Sequence, residues 1–149
     1  DTIIVSVMVG GAVKLLTKNT DYAVRALARI AQRGGEAVSA ARIAQEEKIP
    51  YAYLRRILNI LKDEKVLRSI EGKGGGFVLG KKPAEIYLTD IITIFQGEVN
   101  LTECMFREKI CHNRATCVLR SKIKRIEEKV LEELKGITLA SIVNEAKNK

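Results

Sequence analysis

Apolar residues recur with helical spacing near the start of the chain. Ala23, Ala26, Leu27, Ile30 and Ala31 lie 3, 1, 3 and 1 apart, which predicts a helix from about residue 20 to 33 with one buried face. Gly34 and Gly35 stop it. Ser39 is a good N-cap for a second helix, and Val38 can pack on Ile43 inside it. Ile49-Pro50 breaks that helix, and Pro50 suits the first turn of a third, from about residue 50 to 64. The third helix buries Leu54, Ile57, Leu58 and Leu61 and turns Tyr51, Ala52, Arg55, Arg56 and Asn59 outward. The pattern then changes. Val66 to Ile70 alternates as a strand, Gly76 to Leu79 is its return, and a glycine-rich turn joins them. That turn lacks the G-x-x-x-x-G-K-[ST] spacing of a phosphate loop, and a strand follows it.

Pro83 ends the hairpin. Ile86-Tyr87-Leu88 leads to a cap at Thr89, with Asp90 in the first turn of a helix reaching about Gln96. Residues 97–113 read as a loop. A long helix follows, from about residue 115 to 135, with Leu119, Ile123, Ile126, Val130 and Leu134 spaced by 4, 3, 4 and 4. So narrow a seam resembles a coiled-coil edge and suggests pairing with a second copy; packing within one chain is the alternative. Thr138 caps a closing helix from about residue 139 to 146, with Ile137 and Ile142 as its staple pair.

Two short helices, a tight turn and a basic hairpin make a winged helix-turn-helix, which seats its second helix in a DNA major groove. The fold class is therefore mainly α (α+β), with a long C-terminal dimerisation helix. The expected division is a leader at 1–12, the DNA-binding region at 13–83, a linker helix and cysteine loop at 84–113, and dimerisation helices at 114–149. The opening DTIIVSVMVGGAV is apolar without a basic leading region or a clear cleavage site. It reads as a non-native leader; a short β segment packed on the dimer is the alternative.

Charge sharpens this picture. Lys and Arg number 26 against 18 Asp and Glu, giving +8 and a pI near 9.5. Between Tyr51 and Lys82 there are eight basic residues and three acidic ones, so the excess falls on the proposed reader. No apolar run approaches the roughly 20 residues that span a bilayer, and a cytoplasmic protein without membrane contact is expected. Paired carboxylates and a Ser/His/Asp order are missing and there is one histidine, so an enzyme is not expected.

Three cysteines remain, spaced Cys104-x6-Cys111-x5-Cys117. The odd number speaks against a disulfide framework. Zinc knuckles use closer pairs, whereas wide spacing on a loop suits an iron–sulfur cluster. Inert or redox thiols and zinc stay open. A cluster would need a fourth ligand from another residue, a small molecule or a second subunit; His112 is one candidate, crowded by its neighbour Cys111.

Residues 13–145 resemble the Rrf-type family of bacterial regulators. KLLTKNTDYAVRAL, IPYAYLRRILNIL, VLRSIEGKGGGFVLG, ITLASIV and the three cysteines carry the resemblance. It implies a homodimeric winged-helix transcription factor, in many members holding a 2Fe–2S or 4Fe–4S cluster that senses redox state, nitric oxide or iron–sulfur status. It also places the usual methionine start at Val13. IscR-like members have a histidine three residues after the third cysteine, where this chain has Arg120. NsrR-like members use an aspartate in a T-D-[YL] segment across the dimer, and this chain has Thr20-Asp21-Tyr22. The resemblance thus implies Cys104, Cys111, Cys117 and Asp21 of the partner subunit as ligands, with 4Fe–4S favoured over 2Fe–2S; charge complementarity at a helix start is the plainer role for Asp21. The wing arginine of IscR-like members is replaced by Glu71, with Lys73 or Arg68 as substitutes.

The expected function is a repressor reading two half-sites of a palindromic operator. Arg55 and Arg56 would meet bases or phosphates, Ser39 and Tyr53 the backbone, and Lys73 a flanking phosphate, with Tyr51 on the same face. A cluster-free regulator gated by a metabolite or partner protein, and an iron–sulfur or redox carrier, are the alternatives.

Overall fold

A computed structural model describes residues 15–99 and 116–148. The leader at 1–12, together with Cys104, Cys111 and His112, lies outside the described residues.

Helix α1 (Lys18–Ala31) is the central beam. Its face of Ala23, Ala26, Leu27 and Ile30 is buried as the spacing predicts, and Gly34 and Gly35 follow it with φ of 62° and 101°. Helix α2 (Ala40–Glu47) starts at Ser39, whose Oγ accepts the Arg42 N–H at 3.2 Å. Lys48 ends it in the left-handed conformation. Helix α3 (Tyr51–Asp63) begins one residue later than the sequence suggests: Pro50 has extended ψ and stands at the cap, outside the first turn. Leu54, Ile57, Leu58 and Leu61 are buried, so α3 is seated by the stripe read from the sequence.

Strands β1 (Leu67–Ile70) and β2 (Gly76–Leu79) pair antiparallel, Leu67 opposite Leu79 and Ile70 opposite Gly76. A short 3-10 turn (Pro83–Glu85) leads to α4 (Leu88–Gln96). The cap expected at Thr89 is displaced. Tyr87 holds that position, and the Leu88 N–H bonds to the Ile137 carbonyl at 3.0 Å. Tyr87 bridges Thr138, and the Leu139 N–H returns to the Ile86 carbonyl at 2.8 Å. A distant backbone segment thus satisfies an amide that a side-chain cap would otherwise serve.

Helix α5 (Val118–Lys135) is the long helix. Helix α6 (Leu139–Lys147) has the expected Thr138 cap, reciprocated by Ser141. Leu139 and Val143 of α6 enter the same core as α1, α2 and α3. A smaller cluster of Leu88, Ile92 and Leu134, flanked by Val130 and Ile137, anchors the C-terminal half of α5. Its N-terminal half differs: Val118, Leu119 and Ile126 are exposed, Leu119 to 70%.

Candidate nucleic-acid interface

The α1–α2 junction is fixed by charge. Arg29 reaches Glu46 at 3.3 Å and Glu47 at 2.6 Å, Arg33 and Arg42 each reach Glu46 at 2.9 Å, and Arg25 reaches Glu47 at 3.3 Å. Arg25 also donates to the Glu47 carbonyl at 2.8 Å. The hydrogen bond from Arg42, joined by the charges of Arg33 and Arg29, holds the Glu46 carboxyl below its usual range against the opposing effect of burial. Glu46 Oε2 is shut from solvent without a well-formed hydrogen bond, so its satisfaction comes from the Arg29 ion pair. This belt orients α2, and the Leu54/Leu58 stripe then orients α3 against it.

Buried leucines underneath leave the opposite face of α3 outward. Tyr51, Ala52, Tyr53, Arg55, Arg56 and Asn59 are all exposed. The Arg55 guanidinium sits 5.9 Å from the centre of the Tyr51 ring, which limits its sweep. Tyr53 meets Tyr22 of α1 edge-on at 6.1 Å. These cations have no carboxylate within ion-pair distance among the described residues, unlike those of the α1–α2 belt.

The wing is bolted to the start of α2. Phe77 donates to the Val38 carbonyl at 2.8 Å, and Val38 donates back at 3.0 Å, beside Ser39. Gly76 makes the approach possible: a Cβ there would stand 2.4 Å from the Val38 oxygen. Lys73 and Glu71 are exposed on the hairpin turn, flanked by Gly72 and Gly74 at positive φ. Arg68 stands apart. It lines a cleft of about 340 Å3 between the end of α1 and the wing, with Ile30, Val78 and Lys81.

Ser39, Tyr51, Tyr53, Arg55 and Arg56 are therefore carried by two adjoining helices, Lys73 by the hairpin tip and Arg68 by the cleft. Asp21 is exposed in the first turn of α1, 3.5 Å from Arg25. Cys117 is half-buried at the cap of α5. Among the described residues, which include one of the three cysteines, no three metal-ligating side chains come together. Sequence reasoning missed Lys18, Tyr22 and Gln96, which adjoin this surface; Lys18 and Tyr22 are four apart on α1, whereas the links of Tyr22 to Tyr53 and of Gln96 to Thr17 and Thr20 are long-range contacts without a periodic signature.

Fold and surface together define the winged helix-turn-helix class. The family described as Rrf2, iron-dependent transcriptional regulator, matches residues 16–145, and the chain belongs to it. It is 32% identical over 130 residues to the regulator IscR of Serratia proteamaculans, covering 87% of this chain and 79% of that one. IscR of Erwinia tasmaniensis is 31% identical over the same share of this chain and 78% of its own. Among solved structures, T. potens IscR superposes with a TM-score of 0.71 at 25% identity, covering 88% of this chain and 87% of that chain. CymR, the global cysteine regulator of B. subtilis, gives 0.73 at 25% identity, covering 89% and 98%. No helix among the described residues is long and apolar enough to cross a membrane.

Proposed function

We propose that the chain is a cytoplasmic homodimeric repressor that reads a palindromic operator with paired α3 helices and senses its signal through an iron–sulfur cluster. The observation that carries the DNA reading is the exposed face of Tyr51, Arg55 and Arg56, whose arginines pair with no carboxylate among the described residues, on a helix held by buried leucines. Arg55 and Arg56 reach base edges or phosphates, Ser39 and Tyr53 the strand backbone, and Lys73 a flanking phosphate. Arg68, in its cleft, serves the wing's outer edge.

The apolar stripe of Val118, Leu119 and Ile126 supports the dimer, because so exposed a seam gains burial only against another surface. Residues 114–149 supply that contact through the front half of α5, whereas residues 13–83 supply the reader.

Donor chemistry suits a cluster. Cys117 is half-buried at the start of α5, and the Asp21 carboxylate is solvent-facing with a single exposed ion pair among the described residues. Cys104, Cys111, Cys117 and Asp21 of the partner subunit would hold it, 4Fe–4S being favoured over 2Fe–2S. When bound, the cluster supplies iron reactive toward oxidants and nitric oxide. Asp21 lies in the first turn of α1, and α1 carries Arg25 and Arg29, which set α2, so a ligand role for Asp21 couples to the reader through the Arg25–Glu47 pair.

Anaerobic purification with iron and sulfide analysis tests this. About four iron and four sulfide per cluster, with DNA affinity that differs between loaded and stripped protein, is the expected result. Equal affinities would contradict sensing. The second reading is a cluster-free regulator gated by a metabolite or partner protein; the likeness to CymR, described as a global cysteine regulator, supports gating by a small metabolite. Protein without visible absorbance after anaerobic purification would decide for it.

A further inference from the structure

The first turn of α1 carries an arrangement that the reading of α3 does not use. Lys18 is exposed, and its Nζ lies 5.4 Å from the centre of the Tyr22 ring. Tyr22 in turn meets Tyr53 at 6.1 Å with the ring planes 87° apart. Tyr53 belongs to the first turn of α3, the part of a recognition helix that enters the groove. A side chain beside that turn is therefore placed to reach the strand bordering the groove once α3 is docked. The other cation on Tyr22 is Arg25, at 5.8 Å, and it is already committed to Asp21 and Glu47. Lys18 has no ion pair among the described residues.

This turn is held from a distance. Gln96 Oε1 accepts the Thr17 N–H at 2.9 Å and the Thr20 hydroxyl at 2.7 Å, while Gln96 Nε2 donates to the Leu15 carbonyl at 2.9 Å. Thr20 is fully buried, so the amide is fixed against α1 rather than waving in solvent. Gln96 is the last residue of α4, ahead of the segment that carries the cysteines.

We propose that Lys18, seated on Tyr22 beside Tyr53, is a DNA phosphate contact outside the recognition helix and wing, and that Gln96 is the positioning residue that holds it there. The ligand is the sugar–phosphate strand bordering the groove that α3 enters. A compact ammonium over an aromatic face suits a single phosphate oxygen and carries no base information. Phosphate contacts fix register on the duplex, so this one anchors α1 while α3 reads.

The test compares salt dependence. The unsubstituted protein, Lys18→Ala, Lys18→Arg, Gln96→Ala and the double variant are titrated with a random duplex and with an operator selected from a random pool. Lys18→Ala should lower the log–log salt slope by about 0.9 per protomer, or about 1.8 for a dimer. It should weaken both duplexes by the same factor, and Lys18→Arg should restore the slope. Gln96→Ala should lower the slope in the same direction, and the double variant should fall no further than Lys18→Ala alone. An unchanged slope in Lys18→Ala would overturn the proposal; so would loss confined to the selected operator. An unchanged slope in Gln96→Ala would remove its positioning role. The inference rests on α3 being the reader, yet the two fail separately. An unaltered Lys18→Ala with impaired Arg55 and Arg56 variants sinks only the phosphate contact. The opposite result sinks the α3 reading.

Discussion

Gly76→Ala tests how the wing is joined to the helix-turn-helix. Gly76 has φ of +150°, and an added Cβ would sit 2.4 Å from the Val38 oxygen, 2.5 Å from its carbonyl carbon and 2.8 Å from the Ser39 nitrogen. All three are backbone atoms, so none can swing aside, and β2 must retreat. Retreat breaks the reciprocal Val38–Phe77 hydrogen bonds of 2.8 and 3.0 Å. Two such bonds contribute about 1 kcal/mol each. The unfavourable φ adds about 1–2 kcal/mol, and the stiffer unfolded chain returns about 0.4–1 kcal/mol. A net loss of roughly 2–4 kcal/mol follows, read in urea as a midpoint lower by about 1–2 M at unchanged m. Gly74→Ala is the control: it has φ of +78° with nothing within 4 Å of its Cβ. It should cost about 1 kcal/mol from conformation alone. A Gly76→Ala midpoint no lower than that of Gly74→Ala would refute the close approach. Since the same contact sits beside Ser39, Gly76→Ala should also weaken DNA binding while Gly74→Ala leaves the seat of α3 intact.

Two further outcomes follow from packing and charge. Leu58 is fully buried beneath the outward face of α3; Leu58→Ala should lower stability by about 2–5 kcal/mol in urea unfolding and weaken DNA binding with it. Glu46 has a folded-state pKa held below its ordinary value of 4.5, chiefly by the Arg42 hydrogen bond. Its contribution is therefore present above pH 4.5 and fades as pH falls through the folded value; Glu46→Gln should lower stability near neutrality and flatten the acid limb. Equal acid limbs in the two proteins would remove Glu46 from the belt.

The reader was legible because its determinants are local. Leu54, Ile57, Leu58 and Leu61 announce a buried stripe by spacing, and that stripe fixes which way Arg55 and Arg56 face. Ser39 and Thr138 cap their helices through side chains that bond three residues away. Alternation and glycines gave the two strands of the hairpin to within a residue. Thr89 was misread because the start of α4 is satisfied by the Ile137 carbonyl, far along the chain, and nothing near Thr89 signals it. Gln96 and the Tyr22–Tyr53 contact escaped for the same reason. Arg25 and Arg29 did carry a signal: their spacing of four puts two cations on one face of α1, with Arg33 in the turn just beyond it, where Glu46 and Glu47 of α2 meet them. The apolar residues of α5 were visible as a seam, of which Leu134 packs within the chain while Leu119 and Ile126 stay exposed.

Simultaneous replacement of Arg55 and Arg56 by alanine, assayed by fluorescence anisotropy on the selected operator at fixed salt, addresses the DNA-reading face most directly. A guanine-reading arginine is worth about 1–3 kcal/mol, so the predicted loss is at least several-fold and larger on the operator than on random duplex. A folded double variant that binds both duplexes as tightly as the parent would show that this face of α3 does not touch DNA.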